Sequence, residues 1–157
     1  MPKVRYNSSK GLVTDAGVGI DFTDSSGAAL RKKVVAVSNT SKTLTGQDSG
    51  ALVVLSGGVC TITLPLLSLA GAGWFCSIYV ASAHNHIVQA NDTDTRCLQG
   101  HMLDGSNGVT VVYAPITNRH IITLANARIG DRIDLFCDGT SFHTTITAND
   151  TATLANA

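Results

Sequence analysis

The sequence predicts an all-β protein: an antiparallel β-sandwich, jelly roll or barrel-like domain with an extended N-terminal arm. Three observations point there. Apolar residues recur with period two, the mark of strands with one buried face. Glycine- and proline-bearing turns punctuate the chain at short spacing, giving about eight strands and no convincing long helix. The chain has 157 residues, enough for one domain with a real core.

The strongest stretch is 44–80. Thr61 and Thr63 alternate with Cys60, Ile62 and Leu64. Gly57-Gly58 separates Ala51–Ser56 from Val59–Leu64 and reads as a two-residue hairpin turn. That register sets Leu55 opposite Cys60 and Val53 opposite Ile62, on one face. After the connection Pro65–Gly73, Trp74, Cys76, Ile78 and Val80 alternate again.

Upstream, residues 1–43 read as an arm and linker with one short strand, and residues 44–157 as the β domain. In 1–28, Gly11, Gly17, Gly19 and the serine clusters are spaced so that no long periodic segment forms. Such a segment cannot offset its ordering entropy by local burial. It is either a disordered tail or an arm that orders on a neighbouring subunit or partner. Val4, Tyr6, Leu12, Val13, Ile20 and Phe22 are the candidate anchors, more apolar than a solvating tail needs. Ala28–Lys33 has the composition for one helical turn, Val34–Val37 is a strand, and Ser38–Lys42 is a polar linker. Arg31-Lys32-Lys33, the one basic cluster, reads as a solvated strand start.

Downstream, His84 and His86 are two apart and share a face if extended, within reach of one metal ion. No cysteine or carboxylate completes a ligand set, so the expectation is a turn with two exposed histidines. Ile87–Ala90 is a strand. Asn91–Thr95 is a polar turn lacking the glycine and distal glutamate of an EF-hand loop. Leu98–Gly108 reads as a loop. Val109–Ala114, ended by Pro115, His120–Leu124 and Arg132–Cys137 read as strands. Asp138-Gly139 is a type I′ hairpin signal joining Arg132–Cys137 to Thr140–Thr147. Its register puts Leu135 opposite Phe142, Ile133 opposite Thr144 and Asp134 opposite His143. No serine or cysteine stands where it would turn that Asp–His pair into a triad.

Eleven basic residues balance eleven acidic ones, which argues against binding nucleic acid through phosphate neutralisation. Charge is sparse, which suits a surface packed against copies of itself or a partner. No apolar run is long enough to span a bilayer, and no signal peptide opens the chain. The expectation is therefore synthesis in a reducing cytoplasm with no membrane partner. The four cysteines, Cys60, Cys76, Cys97 and Cys137, form no Cys-x-x-Cys pair and read as reduced, structural thiols. No catalytic motif, cofactor site or metal set rises above background, so the chain reads as non-enzymatic.

Four stretches carry a resemblance. They are Leu44-Thr-Gly-Gln-Asp48-Ser-Gly50, Cys60-Thr-Ile-Thr-Leu-Pro65, Ala72-Gly-Trp-Phe75 and Gly130-Asp-Arg-Ile-Asp-Leu-Phe-Cys-Asp138-Gly-Thr140. In this order they resemble β-domains of tailed-bacteriophage virion proteins, with Phe142 standing where a tryptophan is common. The resemblance implies a capsid decoration (cement) protein. It would be a homotrimer without enzymatic activity, bound to the major capsid protein on the virion surface after assembly in the host cytoplasm. Tail fibres and spikes share the pattern. A carbohydrate-binding β-module is a further alternative, weakened by the single tryptophan and the low aromatic content.

Overall fold

The computed structural model describes residues 4–7, 11–14, 33–91, 97–104, 112–148 and 152–155. The chain divides into two compact units, Met1–Arg31 and Lys32–Ala157. In the first, β1 (Val4–Asn7) and β2 (Gly11–Thr14) form an antiparallel pair, with Tyr6 opposite Leu12 and Arg5 opposite Val13. This part of the expected extended arm is thus folded back on itself. Each strand supplies the other's backbone hydrogen bonds. Ile20, Phe22 and the helical turn expected at 28–32 lie outside the described residues.

Among its described residues, the second unit is β apart from a 3-10 turn at Gly46–Asp48, one helical turn, α1 (Leu67–Ala70), and connecting turns. Its strands are β3 (Val34–Ser38), β4 (Ser41–Thr43), β5 (Ala51–Ser56), β6 (Thr61–Thr63), β7 (Phe75–Val80), β8 (His86–Gln89), β9 (Leu98–Asp104), β10 (Val112–Arg119), β11 (Ile121–Leu124), β12 (Arg132–Cys137), β13 (Phe142–Ala148) and β14 (Ala152–Ala155). They make a seven-stranded sheet ordered β10-β9-β13-β12-β7-β5-β3 and a five-stranded sheet ordered β14-β11-β8-β6-β4. Both are mixed.

From β3 to β8 the chain winds as a coil. It lays one strand in the large sheet, turns a corner, lays the next in the small sheet, and returns. β5 therefore pairs in parallel with β3 and β7, and β6 in parallel with β4 and β8. The antiparallel expectation and the hairpin at Gly57-Gly58 are both overturned here. Ser56 and Thr61 belong to different sheets, so Leu55 and Cys60, and Val53 and Ile62, are not ladder partners. The reason is local. Gly57 does take the left-handed conformation at φ 75°, but the segment up to Cys60 carries the chain across the core instead of back along the same sheet. Corner stacks on corner: the Asn39 N–H bonds the Ser56 carbonyl, and the Ala81 N–H bonds the Leu55 carbonyl.

Three other expectations are corrected. The polar linker at 38–42 contains the start of β4. The loop at 98–108 begins as β9, a full strand held between β10 and β13. Pro115 does not end a strand; it lies inside β10, opposite His101. β10 is the outermost strand of its sheet, where a missing N–H costs no ladder bond. Residues 92–95 and 109–111 lie outside the described set.

The alternation itself holds. Trp74, Cys76, Ile78 and Val80 are buried, as are Ile133, Leu135 and Cys137. They join Leu44, Ile62, Leu64, Val88, Ile122 and Leu124 in one hydrophobic cluster drawn from both sheets. The rings of Trp74 and Phe142 meet edge to face at 5.7 Å within it. All four cysteines are buried and none forms a disulfide.

Candidate functional site

The outward side chains of the large sheet form a grid set by its registers. One row runs Val34, Leu52, Ser77, Asp134, Thr145, His101. The row on one side runs Ala36, Val54, Tyr79, Arg132, Thr147, Leu103, and the row on the other Phe75, Phe136, His143, Gln99. Cross-strand neighbours of this kind lie close enough to act together on a ligand. Phe75, Phe136 and Tyr79 stand out from the sheet, 45%, 49% and 36% exposed.

An open groove of about 340 Å³ lies among them, lined by Gly100, His101, Asp134, Leu135, Phe136, His143, Thr144 and Thr145. Its floor exists because β9 and β13 approach closely at Gly100. That residue has φ 140°, and a Cβ there would lie 1.9 Å from the Thr144 carbonyl oxygen.

Asp134 is oriented through one oxygen. Its Oδ1 accepts from Ser77 Oγ at 2.6 Å and from Arg132 Nε and Nη2 at 3.0 and 2.8 Å. Oδ2 makes no hydrogen bond among the described residues. The pair is exposed, so it fixes geometry more than it stabilises. Directly beneath, burial together with the charges of Asp134 and Asp48 pushes the Cys76 thiol up to about 12. It is no nucleophile at neutral pH.

Asp134 does not pair with His143, as the two-residue turn had implied. β12 and β13 are joined by a four-residue loop, and the register runs Asp134 to Thr145 and Phe136 to His143. The Asp138 carboxylate explains the longer loop: Oδ1 accepts from the Thr140 and Ser141 N–H groups at 2.7 and 2.8 Å and from Thr140 Oγ1 at 2.8 Å. This is an Asx-type turn, which competes with the tight glycine turn. Oδ2 pairs with His143 Nε2 at 2.7 Å. The His143 hydrogen bond, then those from Thr140 and Ser141, hold the Asp138 carboxyl well below the usual carboxylate range.

The paired histidines divide. His84 is exposed as expected, but His86 is fully buried. Its Nδ1 accepts from the Cys60 N–H at 3.2 Å and its Nε2 bonds the Ser82 carbonyl at 3.1 Å. It is a bolt between two coil corners. Among the described residues, no cluster of three or more His, Cys, Asp or Glu side chains could hold a metal ion.

Asp48 plays a similar part at the corner between β4 and β5 and is only 4% exposed. Oδ2 accepts from Thr45 N–H at 2.8 Å and Thr45 Oγ1 at 3.0 Å, and Oδ1 meets Lys33 Nζ at 2.6 Å. Burial pushes this carboxyl up, but Lys33 and the Thr45 bonds outweigh it, and it sits below its ordinary value. The Thr45 carbonyl takes the Trp74 indole N–H at 3.1 Å.

Of the expected arm anchors, Val4 and Tyr6 fall on β1, and Leu12 and Val13 on β2. The exposed aromatics were missed, although their signal was available: if Trp74, Cys76 and Ile78 point inward, Phe75, Ser77 and Tyr79 point outward. Among the described residues, no helix is long and apolar enough to cross a membrane. Comparison with protein-family models, with curated proteins and with solved structures gives no match to this chain.

Proposed function

We propose that this chain is a non-enzymatic structural protein of a tailed-bacteriophage virion, a capsid decoration protein that works as a homotrimer on the major capsid protein. The architecture we infer is a two-layer sandwich, wound as a short parallel coil and closed by antiparallel strands. The four resembling stretches support this reading by where they fall: at the corner between β4 and β5, on β6, at the entry to β7 and along β12 into its loop.

The unguarded edge of β3 carries the reading. Among the described residues, the first coil has an open edge on each sheet. On the small sheet, Lys42 stands beside the buried row Ile62, Val88, Ile122 yet is itself exposed. A charge placed so protects an edge against further pairing. Among the described residues, β3 has no such guard. Its sequence is Val-Val-Ala-Val-Ser, Val34 is 61% exposed, and the neighbouring Lys33 is engaged by Asp48. The bonds of Leu52 N–H to the Lys33 carbonyl and of Asn39 N–H to the Ser56 carbonyl set the alternation. Val35 and Val37 face β5, and the backbone groups of Val34, Ala36 and Ser38 face outward. An extended segment of a neighbouring copy or of a shell subunit can add there. Repeated over a trimer, modest contacts sum to firm attachment. The arm anchors Val4, Tyr6, Leu12, Val13, Ile20 and Phe22 are the segment we assign to that role. The tail-fibre reading has one observation in its favour: a parallel coil can be lengthened turn by turn into a shaft.

Ala36→Pro tests the edge, because it removes an outward N–H and leaves the bonds to β5 intact. Purified wild type should sediment as a trimer and saturate capsids that lack it, measured as occupancy by electron microscopy. Ala36→Pro should fold, lower that occupancy and shift sedimentation toward monomer. Unchanged assembly and occupancy for Ala36→Pro would remove the edge from the account. Wild-type binding confined to tails would replace decoration with the fibre reading.

A further inference from the structure

We infer that the groove between β9, β13 and β12 is a binding site for a neutral saccharide. The inference does not rest on the virion reading. It starts from what the groove holds: an exposed aromatic face at Phe136, two imidazoles at His101 and His143, the Thr145 hydroxyl, and one carboxylate oxygen, Asp134 Oδ2, without a partner among the described residues. A sugar ring offers the matching surface. Its axial C–H face packs on an aromatic ring, and its ring hydroxyls are donor and acceptor at once. A carboxylate fixed through one oxygen keeps the other as a strong, oriented acceptor for such hydroxyls.

Charge decides between ligand classes. The carboxylate that lines the groove, Asp134, is already answered by Arg132. A cationic ligand would have to compete with that partner. Among the described residues no lysine or arginine lines the groove, so an anion finds no free counter-charge there. A neutral, polyhydroxylated ligand is what remains. The groove's 340 Å³ falls at the small end of small-molecule sites, about 300–1,000 Å³. The Phe75 side chain is the cross-strand neighbour of Phe136, so a second ring of an oligosaccharide has an aromatic surface to continue onto. The low aromatic content of the chain is offset by placement, since Phe75, Tyr79 and Phe136 share one face.

The probes are maltotriose, cellotriose, mannotriose and chitotriose, each titrated into the full chain while imidazole and backbone resonances are followed by NMR. At least one should saturate below about 10 mM and shift His101, His143 and Thr145. Its affinity should be unchanged by about 0.5 M salt, since no net charge is exchanged. Phe136→Ala should weaken that probe about tenfold, the value of one aromatic contact, and Phe136→Trp should match or tighten it. Leu69→Ala, on the exposed side of α1, should leave it alone. Three results overturn the proposal: none of the four trisaccharides binds, Phe136→Ala binds as tightly as wild type, or Phe136→Ala changes the sedimentation of the free protein. The last would make the aromatic face a contact between copies.

Discussion

The coil (residues 33–91) and the hairpin region (residues 97–148) solve the same problem differently. In the hairpin region, β12 finds its partner β13 just after a turn, and the turn is held by neighbours in sequence: Asp138 binds Thr140, Ser141 and His143. Asp138, Thr140 and His143 are exposed. In the coil, each strand's partner is a whole turn away, and its corners are held by polar contacts that reach across that distance, each with at least one buried member. Lys33 meets Asp48, Thr45 meets Trp74, and Cys60 meets His86. A parallel crossover provides no local closure, so the core must supply it. Buried polar groups are costly unless satisfied. Corner substitutions should therefore act on the whole molecule, and loop substitutions only nearby.

The largest expected effect tests the one place where the hairpin region behaves like the coil. Gly100→Ala puts a Cβ against the backbone of Thr144 at a φ that L-residues rarely take. It should cost about 3 kcal/mol or more, read as a lower midpoint in urea. A loss under about 1 kcal/mol would mean the two strands separate easily and the groove floor is soft.

Asp48→Ala comes next. It removes the buried carboxylate that accepts from the Thr45 N–H and from Lys33, and hydrogen bonds to a charged group are worth about 1–3 kcal/mol. The difference should depend on pH. Because the folded carboxyl lies below its ordinary value, its contribution is complete above the unfolded value of about 3.9 and is lost as pH falls through the folded one. Wild type and variant should thus converge in acid. A constant gap down to the acid transition would show that the side chain matters for packing and not for charge.

Asp138→Ala should be the mildest. Amide exchange at Thr140 and Ser141 should quicken while the global midpoint stays put. A clear drop in the midpoint would erase the distinction between loop and corner.

Period-two alternation is a property of single strands, and it was legible: the inward sets at 74–80 and 133–137 stand in the structure. Pairing is a property of two strands, and there the sequence misleads. Gly57 takes a positive φ at a coil corner just as it would in a hairpin, so the letters are the same for both. At Asp138 the register moves by two residues, which preserves every inward side chain and leaves no trace in the apolar pattern. The coil hides for another reason. Val34 stacks on Leu52 and Ser41 on Thr61, but Ala51 stacks on Cys76 and Thr61 on Ile87. The turns grow in length, so no fixed period exists to be found. β9 was missed because Gly100 and His101 look like loop chemistry; the glycine is there for a close backbone approach. The groove draws on β9, β12 and β13, and only their pairing brings those residues together.

The four buried thiols divide evenly between these regions, Cys60 and Cys76 in the coil, Cys97 and Cys137 in the hairpin region. None is on the surface, so a thiol-specific reagent must wait for the protein to breathe. Its rate of uptake at each sulfur is then a clock for the opening of that region, with no label or mutation introduced. The same shielding sets how fast the protein ages in an oxidising solution: oxidants reach these sulfurs only as often as the regions around them open.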